Sequence, residues 1–109
     1  MNILGTEYEI IHDDTGNNPK LKDANGYCET YSKKIILDYG KDYINDPDNL
    51  EKFEEFQEKV LRHEVVHAFL HESGLDSNSD WARNEELIDW ISLQLPKIVK
   101  ALRDNGMVI

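Results

Sequence analysis

The sequence predicts an α+β domain, with a small antiparallel β-sheet that includes a hairpin, followed by two principal helices. Three observations carry this. "ILGTEYEII", at residues 3–11, alternates polar and apolar side chains in its middle. "GYCETYSKKIILD", at residues 26–38, reads as two short strands around a turn. Beyond Asp46 the period changes, and apolar positions recur three or four residues apart. No internal repeat or interdomain linker is visible, so residues 1–109 read as a single minimal domain.

In the first strand Thr6, Tyr8 and Ile10 share one face, and Glu7 and Glu9 share the other, wet one. "HDDTGNNPKLKDANG" is rich in Asp, Asn, Gly and Pro and reads as a long loop, with His12 a loop residue. The hairpin is expected to pair Tyr27–Tyr31 with Lys34–Asp38 across a turn near Ser32-Lys33. After a connector, Asn45 or Asp46 caps the first helix, with Pro47 and Asp48 in its first turn. Its stripe runs Leu50, Phe53, Phe56 or Gln57, Val60, Glu64, His67, His71, beginning apolar and ending polar, and Gly74 is placed to stop it. "DSNSD" reads as a loop in which Ser79 or Asp80 caps a second helix, Trp81 to Leu95. Pro96 is expected to kink that helix or split it from "KIVKALRDNG".

The formal net charge is −10, from 22 acidic against 12 basic residues. Neither predicted helix carries a basic face, which argues against nucleic acid and an anionic membrane as partners. The acidity suits solubility or a basic substrate. With Cys28 the one cysteine, an intramolecular disulfide and a Cys-rich structural zinc site are both excluded. No membrane-length apolar run and no signal-peptide pattern is seen, so a reducing cytoplasm is the expected location.

The chemistry concentrates in "RHEVVHAFLHESG", Arg62 to Gly74, which contains His-Glu-x-x-His. His63 and His67 stand four apart, so they lie on one helix face about 6 Å apart along the axis. Two imidazoles so placed can converge on one zinc ion. Glu64, about 100° around the helix from His63, can reach a water there. On an ordinary amphipathic helix these residues would be solvated. Here, however, the core-facing stripe of Phe53, Phe56 and Val60 runs straight into Glu64, His67 and His71, and buried polar groups need partners.

Catalytic zinc usually takes three protein ligands and a water. His71 lies about 12 Å along a continuous helix from His63, too far to share an ion. It reads as a residue behind the ligands or in the substrate cleft, or as a partly exposed helix-end histidine. "NEELIDW" supplies a better third ligand, Glu85, with Asp89 four residues on to accept a hydrogen bond from a ligating imidazole. Glu86 is the competing ligand, without an acidic partner at i+4.

These residues resemble the zinc site of the gluzincin metallopeptidases: His63-Glu64-x-x-His67, then Asn84-Glu85-x-x-x-Asp89 on the next helix. The small size, the preceding hairpin and the form of "HEVVHAFLH" are most similar to the minimal ImmA/IrrE-type gluzincins, which include proteases of phages and mobile elements. In that family's second motif Glu85 and Asp89 fit, while Ile88, Ile91 and Ser92 stand where Ala, Phe and Ala are usual. Leu70 and Ser73 occupy positions where the metzincin pattern requires Gly and His.

The resemblance implies a zincin-like fold, one Zn²⁺ per chain and hydrolysis of a peptide bond in a protein or peptide substrate. His63, His67 and Glu85 would hold the ion, and Glu64 would be the general base. A donor for the developing oxyanion would come from His71, Tyr27, Tyr31 or Arg83. Cys28 would be either a thiolate that caps the metal or an ordinary strand residue. The alternative function is a zinc-stabilised binding module of the same fold, without turnover. Substrate identity and oligomeric state are not written in the sequence.

Overall fold

In the computed structural model, which describes residues 1–38 and 53–109, five strands precede three α-helices. They are β1 (Asn2–Ile3), β2 (Thr6–Glu7), β3 (Glu9–Asp13), β4 (Gly26–Glu29), β5 (Lys34–Asp38), α1 (Phe53–Glu72), α2 (Leu75–Asn78) and α3 (Glu85–Asp104). Single 3-10 turns lie at Pro19–Lys22 and Asp80–Arg83. The class is α+β, as the change of period predicts. The expected cap at Asn45 or Asp46, and Pro47, Asp48 and Leu50, lie outside the described residues.

The predicted first strand is divided. Leu4 and Gly5 both take positive φ, 50° and 92°, which reverses the chain and pairs β1 with β2 as a miniature hairpin. The alternating segment resumes as β3 and runs to Asp13, so His12 sits in a strand, exposed, and not in a loop.

The main sheet has the order β3-β5-β4. The hairpin is present, with β4 antiparallel to β5 from Gly26↔Leu37 to Glu29↔Lys34. Strand β3, however, runs parallel to β5, Glu9↔Lys34 through Asp13↔Asp38, so the sheet is mixed and not antiparallel. Apolar content explains the order. Ile35, Ile36, Leu37 and Asp38 are all buried, which requires cover on both faces and suits the central place. Strand β3 alternates with charge and suits an edge. Placing β5 between antiparallel β3 and β4 makes one pair parallel.

Helix α1 covers one face of this sheet. Ile3, Tyr8, Ile35, Leu37 and Ala68 form the buried core, with Val60, Leu61, Val65, Ile10 and Cys28 packed around them. The approach is close at Gly26, where a Cβ would stand 2.8 Å from Val60 Cγ1 and 2.9 Å from the Ile36 carbonyl oxygen. The helix stops where expected. Gly74 takes φ 83°, and its N–H donates to the His71 carbonyl at 2.9 Å.

Helix α3 begins at Glu85, later than the Trp81 start predicted, and its cap is Asn84 in place of Ser79 or Asp80. The Asn84 side chain accepts the Leu87 N–H at 2.9 Å, whereas Ser79 caps only a 3-10 turn and makes no side-chain cap bond. Nor does Pro96 split the helix, which continues to Asp104. A proline at 96 has no N–H for the Ser92 carbonyl. Arg62 Nε donates to that oxygen instead, at 3.0 Å. The orphaned acceptor is thus satisfied from α1, on the side where Ile88 and Ser92 are fully buried. Among the described residues, no helix is long and apolar enough to cross a membrane.

Candidate metal centre

Four-residue spacing on α1 sets His63 and His67 in adjacent turns, their Nε2 atoms 3.2 Å apart. The first turn of α3 brings Glu85 to both. One carboxylate oxygen is 2.9 Å from His63 Nε2, and the two oxygens are 3.1 and 3.4 Å from His67 Nε2. Among the described residues, His63, His67 and Glu85 are the group of three that can hold a metal ion, with donor atoms all within 4.8 Å of one another. Donors about 2.0–2.1 Å from a tetrahedral ion stand about 3.3–3.5 Å apart, close to the spacing found here. Glu86 is exposed and turned away from the histidines, beside Trp90 and Leu93.

Asp89 follows Glu85 by one turn, and its Oδ1 is 3.4 Å from His63 Nδ1 and 3.9 Å from Lys59 Nζ. A proton on Nδ1 directed at Asp89 leaves the Nε2 lone pair for the donor group. Lys59 was not foreseen as part of this arrangement.

Glu64 is 8% exposed and lines the cleft on both sides of His63. Burial raises its pKa, the most important influence. His67 and His63 pull it down, Glu85 pushes it up, and a backbone hydrogen bond from Cys28 pulls it down again. That bond follows from the register. Asp38 N–H donates to the Asn25 carbonyl at 3.0 Å, so Asn25, Tyr27 and Glu29 are the positions bonded to β5. By antiparallel alternation the N–H and C=O of Gly26 and Cys28 then face away from β5, at the sheet edge.

The remaining predicted residues divide. Tyr27 borders the cleft, but strand alternation sets its ring on the face of β4 opposite Gly26 and α1, where the hydroxyl accepts from Asn18 Nδ2 at 2.7 Å and Lys20 lies over the ring. Tyr31 is not brought there. Strand β4 ends at Glu29, which leaves Tyr31 on the turn, 95% exposed. Arg83 is not brought there either, because its guanidinium donates to the Asp76 carbonyl and pairs with Asp80. His71 lies outside the donor group, with Nδ1 2.9 Å from Asp76 Oδ2. Cys28 lines the cleft, but its thiol packs against the core and lies outside the donor group. Burial pushes its pKa up to about 12, which keeps it protonated.

Among the cleft residues that gave no motif signal are Asp76 and Gly26. Asp76 follows the left-handed turn at Gly74, which breaks the helical phase that would relate it to His71. A glycine before a hairpin could have been singled out, but only the packed structure shows Val60 against it.

The cleft is therefore an open groove with Asp76, Glu64, Glu85 and Asp89 around two imidazoles, a donor set of nitrogen and carboxylate oxygen that suits a divalent cation. No protein-family model, curated protein or solved structure matches this chain.

Proposed function

We propose that this chain is a zinc-dependent metallopeptidase of the minimal gluzincin, ImmA/IrrE-like type, with a zincin-like fold and one zinc per chain held by His63, His67 and Glu85. The observation that carries the reading is Glu64. A binding module stapled by zinc needs three ligands and has no use for a further carboxylate beside them. Here Glu64 is buried in the same cleft as the three donors, beside both imidazoles and bonded to the Cys28 N–H, where a carboxylate can take a proton from water. This favours catalysis over the docking alternative.

When bound, zinc supplies a Lewis acid that lets water lose a proton near neutral pH. The chain's own residues do the rest. Glu64 accepts the proton from the attacking water and returns it to the leaving amine. Asp89 fixes the His63 tautomer. The Cys28 N–H at the edge of β4 is taken by Glu64, and the Gly26 N–H and C=O and the Cys28 C=O remain to pair with an extended peptide and lay it along the cleft. The His71–Asp76 pair, with Asp76 lining the cleft, is the group left to steady the oxyanion. The acidic groove suits a basic, unstructured segment of a protein substrate. In a reducing cytoplasm Cys28 stays a thiol.

The test is elemental analysis of the purified protein, followed by incubation with basic, unstructured polypeptides and mass spectrometry of the products. Wild type should carry about one zinc per chain and cleave. Glu64→Gln should keep the zinc and lose about 10²–10⁴-fold in rate. A Glu64→Gln protein that cleaves at the wild-type rate sinks the mechanism. Purified protein that takes up no zinc sinks the assignment.

A further inference from the structure

Helix α3 carries charges at both ends, and most are already engaged. Glu85 meets His63 and His67, Asp89 meets His63 and Lys59, Lys100 pairs with Asp104 at 2.5 Å, and Arg103 donates to the Ile109 carbonyl. Among the described residues, Glu86 and Lys97 are the two charged side chains of α3 left without a partner. They bracket two exposed apolar residues, Trp90 (56% exposed) and Leu93 (39%).

The four positions fall at i, i+4, i+7 and i+11, so they form one stripe on the side of α3 opposite the buried Ile88 and Ser92. The stripe is about 17 Å long. It is also self-complementary. Glu86 and Lys97 stand equally far from the midpoint between Trp90 and Leu93, with opposite charge. We infer that this stripe is a two-fold interface between copies of this chain, in which α3 packs antiparallel to α3 of a second molecule. Trp90 then meets the partner's Leu93, and Glu86 meets the partner's Lys97, each contact occurring twice as an isologous interface requires. The pairing gives the two unpartnered charges their counter-charges and covers both apolar side chains. Glu85 and Asp89 lie about a quarter turn around the helix, so the cleft stays open. The inference stands independently of the peptidase reading.

A contact of three helical turns is at the small end of specific interfaces, so association should be reversible. Sedimentation equilibrium of the full chain, taken to millimolar concentration, should show the 12.7 kDa monomer passing to twice that mass. Trp90→Ser should weaken association by about tenfold or more. Glu86→Lys and Lys97→Glu should each leave a monomer, because like charges then face each other at both ends. The double variant Glu86→Lys/Lys97→Glu should dimerise again. Circular dichroism and thermal melts establish that each variant is folded, as these exposed positions allow. A wild type that stays monomeric throughout overturns the inference. So does a dimer that survives the single reversals, since it belongs to another face. A double variant that remains monomeric rules out the antiparallel register.

Discussion

Removing the His67 imidazole tests the donor group most directly. The three donor atoms stand at mutual distances of 2.9 to 3.4 Å, already near those of a tetrahedral ion's ligands, so binding calls for little rearrangement. At zinc about a hundredfold above its dissociation constant, mass action adds about 2.7 kcal/mol to the native state. At about 2.1 cal/mol/K per residue, a chain of 109 residues has an unfolding entropy of about 0.23 kcal/mol/K, so its melting temperature should rise by about 12 °C. His67→Ala leaves one nitrogen and one carboxylate. If affinity falls a hundredfold, the same zinc adds only about 0.4 kcal/mol, or less than about 2 °C. The assay is thermal melting of chelator-treated protein against added zinc, with elemental analysis after dialysis. His71→Ala is the control and should keep the full rise, since His71 faces Asp76. An equal rise in wild type and His67→Ala would refute the assignment. Loss of the rise in His71→Ala alone would move the site.

Three further outcomes follow from the packing. Gly26→Ala should destabilise the fold by about 1–3 kcal/mol, because the new Cβ meets a backbone oxygen that cannot rotate away; an unchanged denaturant midpoint would show that α1 can back off from β4. Arg62→Met should cost about 1.5–3 kcal/mol by leaving the Ser92 carbonyl buried without a donor. That cost should shrink in a Pro96→Ala background, where residue 96 regains its N–H, and strictly additive effects in the double-mutant cycle would mean that the two residues do not share Ser92. The last concerns acid. Glu72 accepts from Lys33 at 2.6 Å and from the Tyr8 hydroxyl at 3.0 Å, and the Lys33 hydrogen bond, its largest influence, holds its carboxyl below the usual 4.5. A lowered folded-state pKa contributes stability that is present above the unfolded value and lost as pH falls through the folded one. Wild type should therefore lose stability below about pH 4.5 more steeply than Lys33→Met, as read from urea midpoints against pH, and parallel profiles would count against the Lys33–Glu72 coupling.

Much of the donor group was legible in the chain because it is local. The spacing of His63 and His67 needs only a helix to place both on one face, and a helix was signalled by the stripe through Phe53, Phe56 and Val60. The same holds for the β4–β5 hairpin and for the stop at Gly74, each decided within a few residues. Asp89 beside Glu85 is likewise a matter of one helical turn.

What the tertiary structure decided depends on residues far apart in sequence. Glu85 and Glu86 are chemically alike, and one residue turns the side chain by about 100°. Which of them reaches the histidines is set by the phase in which Ile88 and Ser92 seat α3 on α1. Pro96 reads as a break until Arg62, 34 positions earlier in the chain, supplies the donor for Ser92. The parallel pairing of β3 with β5 arises because the most apolar strand takes the centre of the sheet, a competition among strands that no single segment records. Tyr31 and Arg83 carry suitable groups for the cleft, yet the hairpin turn holds one outside it and Asp76 and Asp80 engage the other. Local spacing could name the histidine pair, but side chains that reach it across the fold are selected by packing, because their positions are fixed by contacts and not by the chain.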